Sequence, residues 1–116
     1  MLELNDEKEN GIVVCRMEGR LDGSTSTGAD EHLGRLAQEA ATSGLVIDLA
    51  RLEYVSSAGL RVLLQVANRL KTGNGKLALF GLNDHVRQVF DIAGFSSILD
   101  IYPSRKEAVE HVESVS

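Results

Sequence analysis

The sequence predicts an α/β domain with a mixed, mainly parallel sheet of about five strands and about four helices packed on it. Two patterns carry this expectation. From residue 26 onward, short branched-aliphatic runs alternate with segments of helical periodicity, which requires crossover connections and parallel pairing. Ahead of them stand two alternating segments joined through Asn10-Gly11, a hairpin signal that adds one antiparallel pair. A length of 116 residues suits one domain, 1–116, and an apolar fraction of 43% without Trp implies an aliphatic core.

The hairpin strands are expected over Leu2 to Asp6 and Ile12 to Glu18. Cys15 alternates with Val13 and Met17 there and reads as a small buried hydrophobe. Arg16 should point to the other face, so nothing cationic activates the thiol, and a single Cys forms no internal disulfide. Gly19 to Gly28 is rich in turn and capping residues and leads into a helix over Ser26 to Thr42. Ala29, Leu33, Leu36, Ala37, Ala40 and Ala41 share its inner face, and Ser43-Gly44 ends it.

Leu45 to Leu49 is a continuous apolar run, as in a strand covered on both faces. Ala50 to Ser57 reads as a connector. A second helix follows over Ala58 to Lys71, with Leu60, Leu63, Leu64, Ala67 and Leu70 inside and Arg61 among its solvent-facing residues. Gly73-Asn74-Gly75 stops it, and Leu77 to Phe80 is the next buried strand. Asn83 is a good N-cap for a third helix, with Val86, Val89, Phe90 and Ala93 inward and Gly94 at its end. Ile98 to Ile101 gives the last strand. Ser104-Arg105-Lys106-Glu107 has the form of a capping box and opens a fourth helix carrying Ala108, Val109 and Val112. Ser114 and Ser116 belong to a frayed tail.

Several functions are disfavoured. A net charge of −5 argues against neutralising nucleic-acid phosphates or binding an anionic membrane. The acidic N-terminal stretch resembles no signal peptide, and no apolar run approaches a membrane span, so a cytoplasmic location is expected. No phosphate-binding Gly-rich loop is present. Ser57-Ala58-Gly59 is half of a nucleophile elbow, but Val55 occupies the leading glycine position. His32, His85 and His111 each fall on a predicted helix among polar neighbours and read as solvated surface residues. One Cys and three scattered His show no metal-ligand spacing. Asp48 ends a central strand as a receiver-domain phospho-acceptor would, but no acidic pair is placed to face it. No catalytic residue, metal or cofactor is expected.

The informative stretch is Tyr54-Val55-Ser56-Ser57-Ala58-Gly59-Leu60, where two serines meet the start of a helix. A serine there serves as an N-cap. The same position tolerates a phosphate, because a helix N-terminus carries partial positive charge and free N–H groups. The two roles are compatible. Gly59 lets the backbone approach closely at the helix start.

Leu45 to Leu64, with Gly19-Arg20-Leu21-Asp22 upstream and Lys76 to Gly94 downstream, resembles a STAS domain, the family of bacterial anti-sigma-factor antagonists and related modules. The expected element order matches that family along nearly the whole chain. The resemblance implies a non-catalytic regulator whose unphosphorylated form binds an anti-sigma factor that is also a serine kinase, releasing a sigma factor. Phosphorylation on a serine before the second helix ends binding, and a PP2C-type phosphatase restores it. By this resemblance the acceptor is Ser57, and Asp22 is an acidic residue beside it. Asp22 equally suits a turn or loop cap. Asp22, Ser56, Ser57, Gly59 and Arg61 form the expected partner-binding set. The family often has Asp at the place of Ser56 and Ser at the place of Ala58, which leaves Ser56 open as an alternative acceptor. The family also serves stressosomes, secretion control and lipid transport, so an interaction module without phosphorylation is the other reading.

Overall fold

The computed structural model describes residues 1–39, 44–73 and 75–113. Its strands are β1 (Leu2–Glu9), β2 (Ile12–Leu21), β3 (Leu45–Val55), β4 (Leu77–Phe80) and β5 (Ile101–Tyr102). Its helices are α1 (Ser26–Glu39), α2 (Ser57–Thr72), α3 (Asp84–Ala93) and α4 (Arg105–Glu113). The strands lie in the order β1-β2-β3-β4-β5, with β1 antiparallel to β2 and the remaining pairs parallel. This is the mixed, mainly parallel sheet that the alternating pattern predicts.

The hairpin turns on Asn10 (φ 54°) and Gly11 (φ 82°). Both central residues of such a turn need positive φ, which Asn tolerates and Gly adopts freely. On one face of the sheet, Leu33 of α1, Leu63 and Leu70 of α2 and Phe90 of α3 pack over Met17, Ile47, Leu49 and Leu79. On the other, Ala108, Val109 and Val112 of α4 cover Val14, Val46, Ala78 and Phe80. Double coverage explains why Leu45-Val46-Ile47 and Leu77 to Phe80 are apolar without alternation. Arg105 ties α4 to the sheet edge, donating to Glu9 (2.9 Å) and Glu7 (2.6 Å).

The caps follow local chemistry. Asn83 Oδ1 accepts from the Val86 N–H at 2.8 Å, while its Nδ2 donates to the Leu52 carbonyl at 2.9 Å and docks α3 on β3. Ser104 Oγ accepts from the Glu107 N–H at 3.3 Å, which is half of the expected box.

Several boundaries differ from the sequence expectation. β1 continues to Glu9 and β2 to Leu21. The expected connector Ala50 to Ser57 is mostly strand: β3 runs unbroken to Val55, and α2 starts at Ser57 instead of Ala58. Beyond Asp48, β3 has lost β4 as a partner and pairs only with β2, as far as Leu21↔Val55. Register shifts between Arg16 and Glu18 and between Gly19 and Arg20 break the alternation that marks a strand. In α2, Val62 and Val66 are buried while Leu64 and Ala67 are only partly covered, because α1 packs along its flank. Ala93 is exposed rather than inward. Ile98 starts no strand: a 3-10 turn (Phe95–Ser97) precedes it, the turn that follows buries Leu99 and leaves Ile98 60% exposed, and β5 begins only at Ile101. Ala40, Ala41, Thr42 and Ser43 of the expected helix end lie outside the described residues, as do Asn74, Ser114 and Ser116.

Candidate functional site

The β2 and β3 strands run parallel to the same end of the sheet. Their last pair is Leu21↔Val55, and one residue later the Ser56 N–H donates to the Leu21 carbonyl at 2.9 Å. Asp22 and the serine pair therefore leave the sheet side by side, at the carboxyl ends of parallel strands, where α/β folds gather their sites.

The two serines have different tasks. Ser56 is the N-cap, with extended backbone (φ −99°, ψ 176°) and an Oγ that accepts from the Gly59 N–H at 3.3 Å. Its carbonyl accepts from the Leu60 N–H at 2.9 Å. Ser57 is the first helical residue; it is exposed, and its hydroxyl makes no hydrogen bond among the described residues. The Ser57 and Ala58 N–H groups precede the first intrahelical bonds, so the tip keeps free donors and partial positive charge.

Gly59 is buried, and the reason is contact. A Cβ built there falls 2.7 Å from both the Leu21 carbonyl oxygen and Leu21 Cγ, and 3.0 Å from Val55 Cγ2. The missing side chain lets α2 sit directly on the ends of β2 and β3. Gly59 thus offers a partner no side chain and serves by placing Ser56 and Ser57. Arg61, one turn after Ser57 on the same side of α2, is exposed.

Asp22 organises the loop that faces this tip. Its Oδ1 accepts from the Ser24 hydroxyl (2.8 Å), the Ser24 N–H (3.0 Å) and the Thr25 N–H (3.3 Å). Thr25 Oγ1 in turn accepts from the Asp22 N–H at 2.9 Å and donates to the Arg20 carbonyl at 2.9 Å. The Ser24 hydroxyl, then the loop N–H groups, hold the Asp22 carboxyl below its usual range against an opposing effect of desolvation. Asp22 is therefore a charged loop residue as well as a turn former.

Beside the loop lies a stack that the sequence reading did not single out. The Arg20 guanidinium sits 4.3 Å from the centre of the Tyr54 ring, its cross-strand neighbour, and Tyr54 stacks on His85 with ring centres 6.1 Å apart. Arg20 also lies 3.7 Å from Asp22 Oδ2. Arg20 and Tyr54 belong to the Gly19-Arg20-Leu21-Asp22 and Tyr54-to-Leu60 stretches. Only the β2–β3 register, hidden by the bulges, brings them together.

Among the described residues the Ser57 hydroxyl has no hydrogen-bonded base. A cleft of about 880 Å³ between α1 and α2, lined by Asp30, Arg35, Arg69 and Gly73, opens toward the other end of α2. Asp48 lies within β3, and its Oδ1 accepts from the Ala50 N–H at 2.9 Å. Two histidines depart from the solvated-surface expectation: His32 is bound to Asp6 (2.8 Å) and His111 to Asp100 (3.2 Å). Cys15 is fully buried, and burial, then Asp6, pushes its thiol far above the ordinary range, so it is no nucleophile. Among the described residues no helix is long and apolar enough to cross a membrane.

The chain is similar to known proteins over nearly its whole length. The STAS domain family model matches residues 3–108. BtrV of Bordetella bronchiseptica is 36% identical over 107 residues, covering 92% of this chain and 91% of the relative. The anti-sigma F factor antagonist of Paenibacillus polymyxa is 27% identical over 115 residues, covering 99% and 98%. Among solved structures, an anti-sigma factor antagonist from Mycobacterium paratuberculosis superposes with a TM-score of 0.87 at 22% identity, covering 97% and 94%. The Bacillus cell fate determinant SpoIIAA in its phosphorylated form superposes with a TM-score of 0.70 at 21% identity, covering 95% and 99%. A five-stranded mixed sheet, a paired loop and helix tip at one of its ends, and a match along the whole domain agree: this chain belongs to the STAS domain family, among the anti-sigma factor antagonists, which are regulatory binding proteins and not enzymes.

Proposed function

We propose that the unphosphorylated chain binds an anti-sigma factor of the serine-kinase type in the cytoplasm, releasing a sigma factor, and that phosphorylation of Ser57 ends this binding. A PP2C-type phosphatase then returns the chain to its active form. The observation that carries the reading is the division of labour at the α2 tip. Ser56 holds the cap, so the exposed Ser57 hydroxyl is spare and can be modified without unfolding the helix. Two relatives support it. The Paenibacillus polymyxa protein is an anti-sigma F factor antagonist, and SpoIIAA carries a phosphate on this fold.

The docking surface comprises the Asp22 loop, the Ser57 tip, Arg61 and the Arg20–Tyr54–His85 stack. Arg and Tyr are the residue types that dominate binding energy at interfaces. The surface carries both signs of charge, so added negative charge beside Asp22 alters it sharply. The direct test is a displacement assay. The chain is titrated into a preformed complex of a sigma factor with a serine-kinase-type anti-sigma factor from the same genome. Stoichiometric release of the sigma factor is expected; a chain that neither binds the anti-sigma factor nor releases its sigma factor contradicts the reading.

A further inference from the structure

A second cluster of reactive side chains lies on the α1 face of the hairpin and shares no residue with the Ser57 site. Asp6 of β1 and Cys15 of β2 are directly opposed in the antiparallel register, so both side chains leave the same face of the sheet. His32 of α1 comes down on them. Its Nε2 lies 2.8 Å from Asp6 Oδ2 and 2.9 Å from Asp6 Oδ1. One donor atom from each of Asp6, Cys15 and His32 falls within 4.8 Å of the other two. Sequence spacing hides the group, because its members come from three separate elements.

We propose that Asp6, Cys15 and His32 form a binding site for a thiophilic divalent cation of the zinc type. The donor set is one sulfur, one nitrogen and one oxygen, which suits Zn²⁺ and excludes the oxygen-seeking Mg²⁺ and Ca²⁺. Three protein ligands leave a fourth position for water. A cleft of about 190 Å³ lined by Asp6, His32, Arg35, Leu36 and Glu39 opens two of the three ligands to solvent, while Cys15 is buried outside its lining.

The donor atoms, now within 4.8 Å of one another, must shift by up to about 1–1.5 Å to hold a tetrahedral cation. Tetrahedral zinc, with bonds of about 2.0–2.3 Å, holds its ligand atoms roughly 3.3–3.8 Å apart. Asp6 and His32 are now at hydrogen-bond distance and must open slightly. The His32 ring proton, held on Nε2 by the Asp6 carboxylate and the Arg35 guanidinium, moves to Nδ1 through solvent; the cation takes the freed Nε2 lone pair and displaces the proton of the Cys15 thiol to solvent, forming a metal–thiolate bond. Arg35, whose guanidinium approaches His32 Nδ1 at 3.2 Å, is exposed and swings outward; Glu39 on the same cleft offsets its charge. Bound metal would fasten β1 to β2 and α1, the two elements on either side of the Asp22 loop.

The test uses the full chain, stripped with a chelator and titrated with Co²⁺ as a spectroscopic probe. The expected result is one Co²⁺ per chain, with a near-ultraviolet thiolate-to-cobalt band and the intense visible bands of tetrahedral Co²⁺. Cys15→Ala abolishes the charge-transfer band. His32→Gln lowers the affinity by more than about 100-fold, since loss of a ligand exceeds the 10–100-fold cost of losing an outer-shell partner. Zn²⁺ raises the Tm of the parent and leaves that of His32→Gln unchanged. The His32→Gln change removes no side chain of the hydrophobic core, so it remains informative if Cys15→Ala fails to fold. A titration without the thiolate band, or equal uptake by the parent and His32→Gln, overturns the proposal and leaves Asp6 and His32 as a simple ion pair.

Discussion

Ser57→Asp should weaken binding to the anti-sigma factor by about 100-fold, since like charge across an interface costs several kcal/mol and each 1.4 kcal/mol is tenfold in affinity. The fold should not suffer. A carboxylate in the first turn of a helix interacts favourably with the free N–H groups by about 0.3–1 kcal/mol. Ser56 still provides the cap. Circular dichroism should therefore give a Tm equal to or slightly above that of the parent, while isothermal titration shows the lost affinity. Ser57→Asn, similar in size and neutral, should retain most of the binding. Equal affinity for Ser57→Asp and the parent would mean that charge at the tip is not the switch.

Gly59→Ala should give the largest loss of stability of any one-carbon change at the site. The new Cβ lies 2.7 Å from the Leu21 carbonyl oxygen, which is already engaged by the Ser56 N–H, and backbone cannot swing aside as a flexible side chain can. Overpacking of this kind costs about 1–3 kcal/mol. At roughly 4 °C per kcal/mol for a domain of this size, thermal melts should show a fall of about 4–12 °C. The better helix propensity of Ala offsets less than about 1 kcal/mol of this. Because the clash forces α2 away from β2, the Asp22 loop and the Ser57 tip also separate, and partner affinity should fall with stability. A Tm equal to the parent's would show that the close approach is not a packing constraint.

Much of this architecture is legible in the sequence because it is written in local chemistry. Asn10-Gly11 makes the hairpin turn, Asn83 and Ser104 cap their helices, and the doubly covered strands are continuous apolar runs. What escaped depends on long-range placement. The second half of β3 carries Arg51 and Glu53 and has only β2 for a neighbour, so it looks like a loop until the register is known. The last strand shrinks because Leu99 finds its burial from the turn that follows a 3-10 segment. At the site, the serine pair and Asp22 are visible from helix-start and turn chemistry. The assignment of capping to Ser56 depends on where the helix begins, a boundary set by β3. The Arg20–Tyr54–His85 stack and the Asp6–Cys15–His32 group join elements far apart in the chain, and no spacing rule reveals them.

The most direct test of the central claim is phosphate transfer mapped to a residue. The chain, Ser56→Ala and Ser57→Ala are each incubated with the serine-kinase-type anti-sigma factor and ATP, then analysed by intact mass and by peptide sequencing. The parent should gain one phosphate on Ser57, Ser56→Ala should still gain it, and Ser57→Ala should gain none. Phosphate on Ser56, or uptake by Ser57→Ala equal to the parent's, would contradict the account.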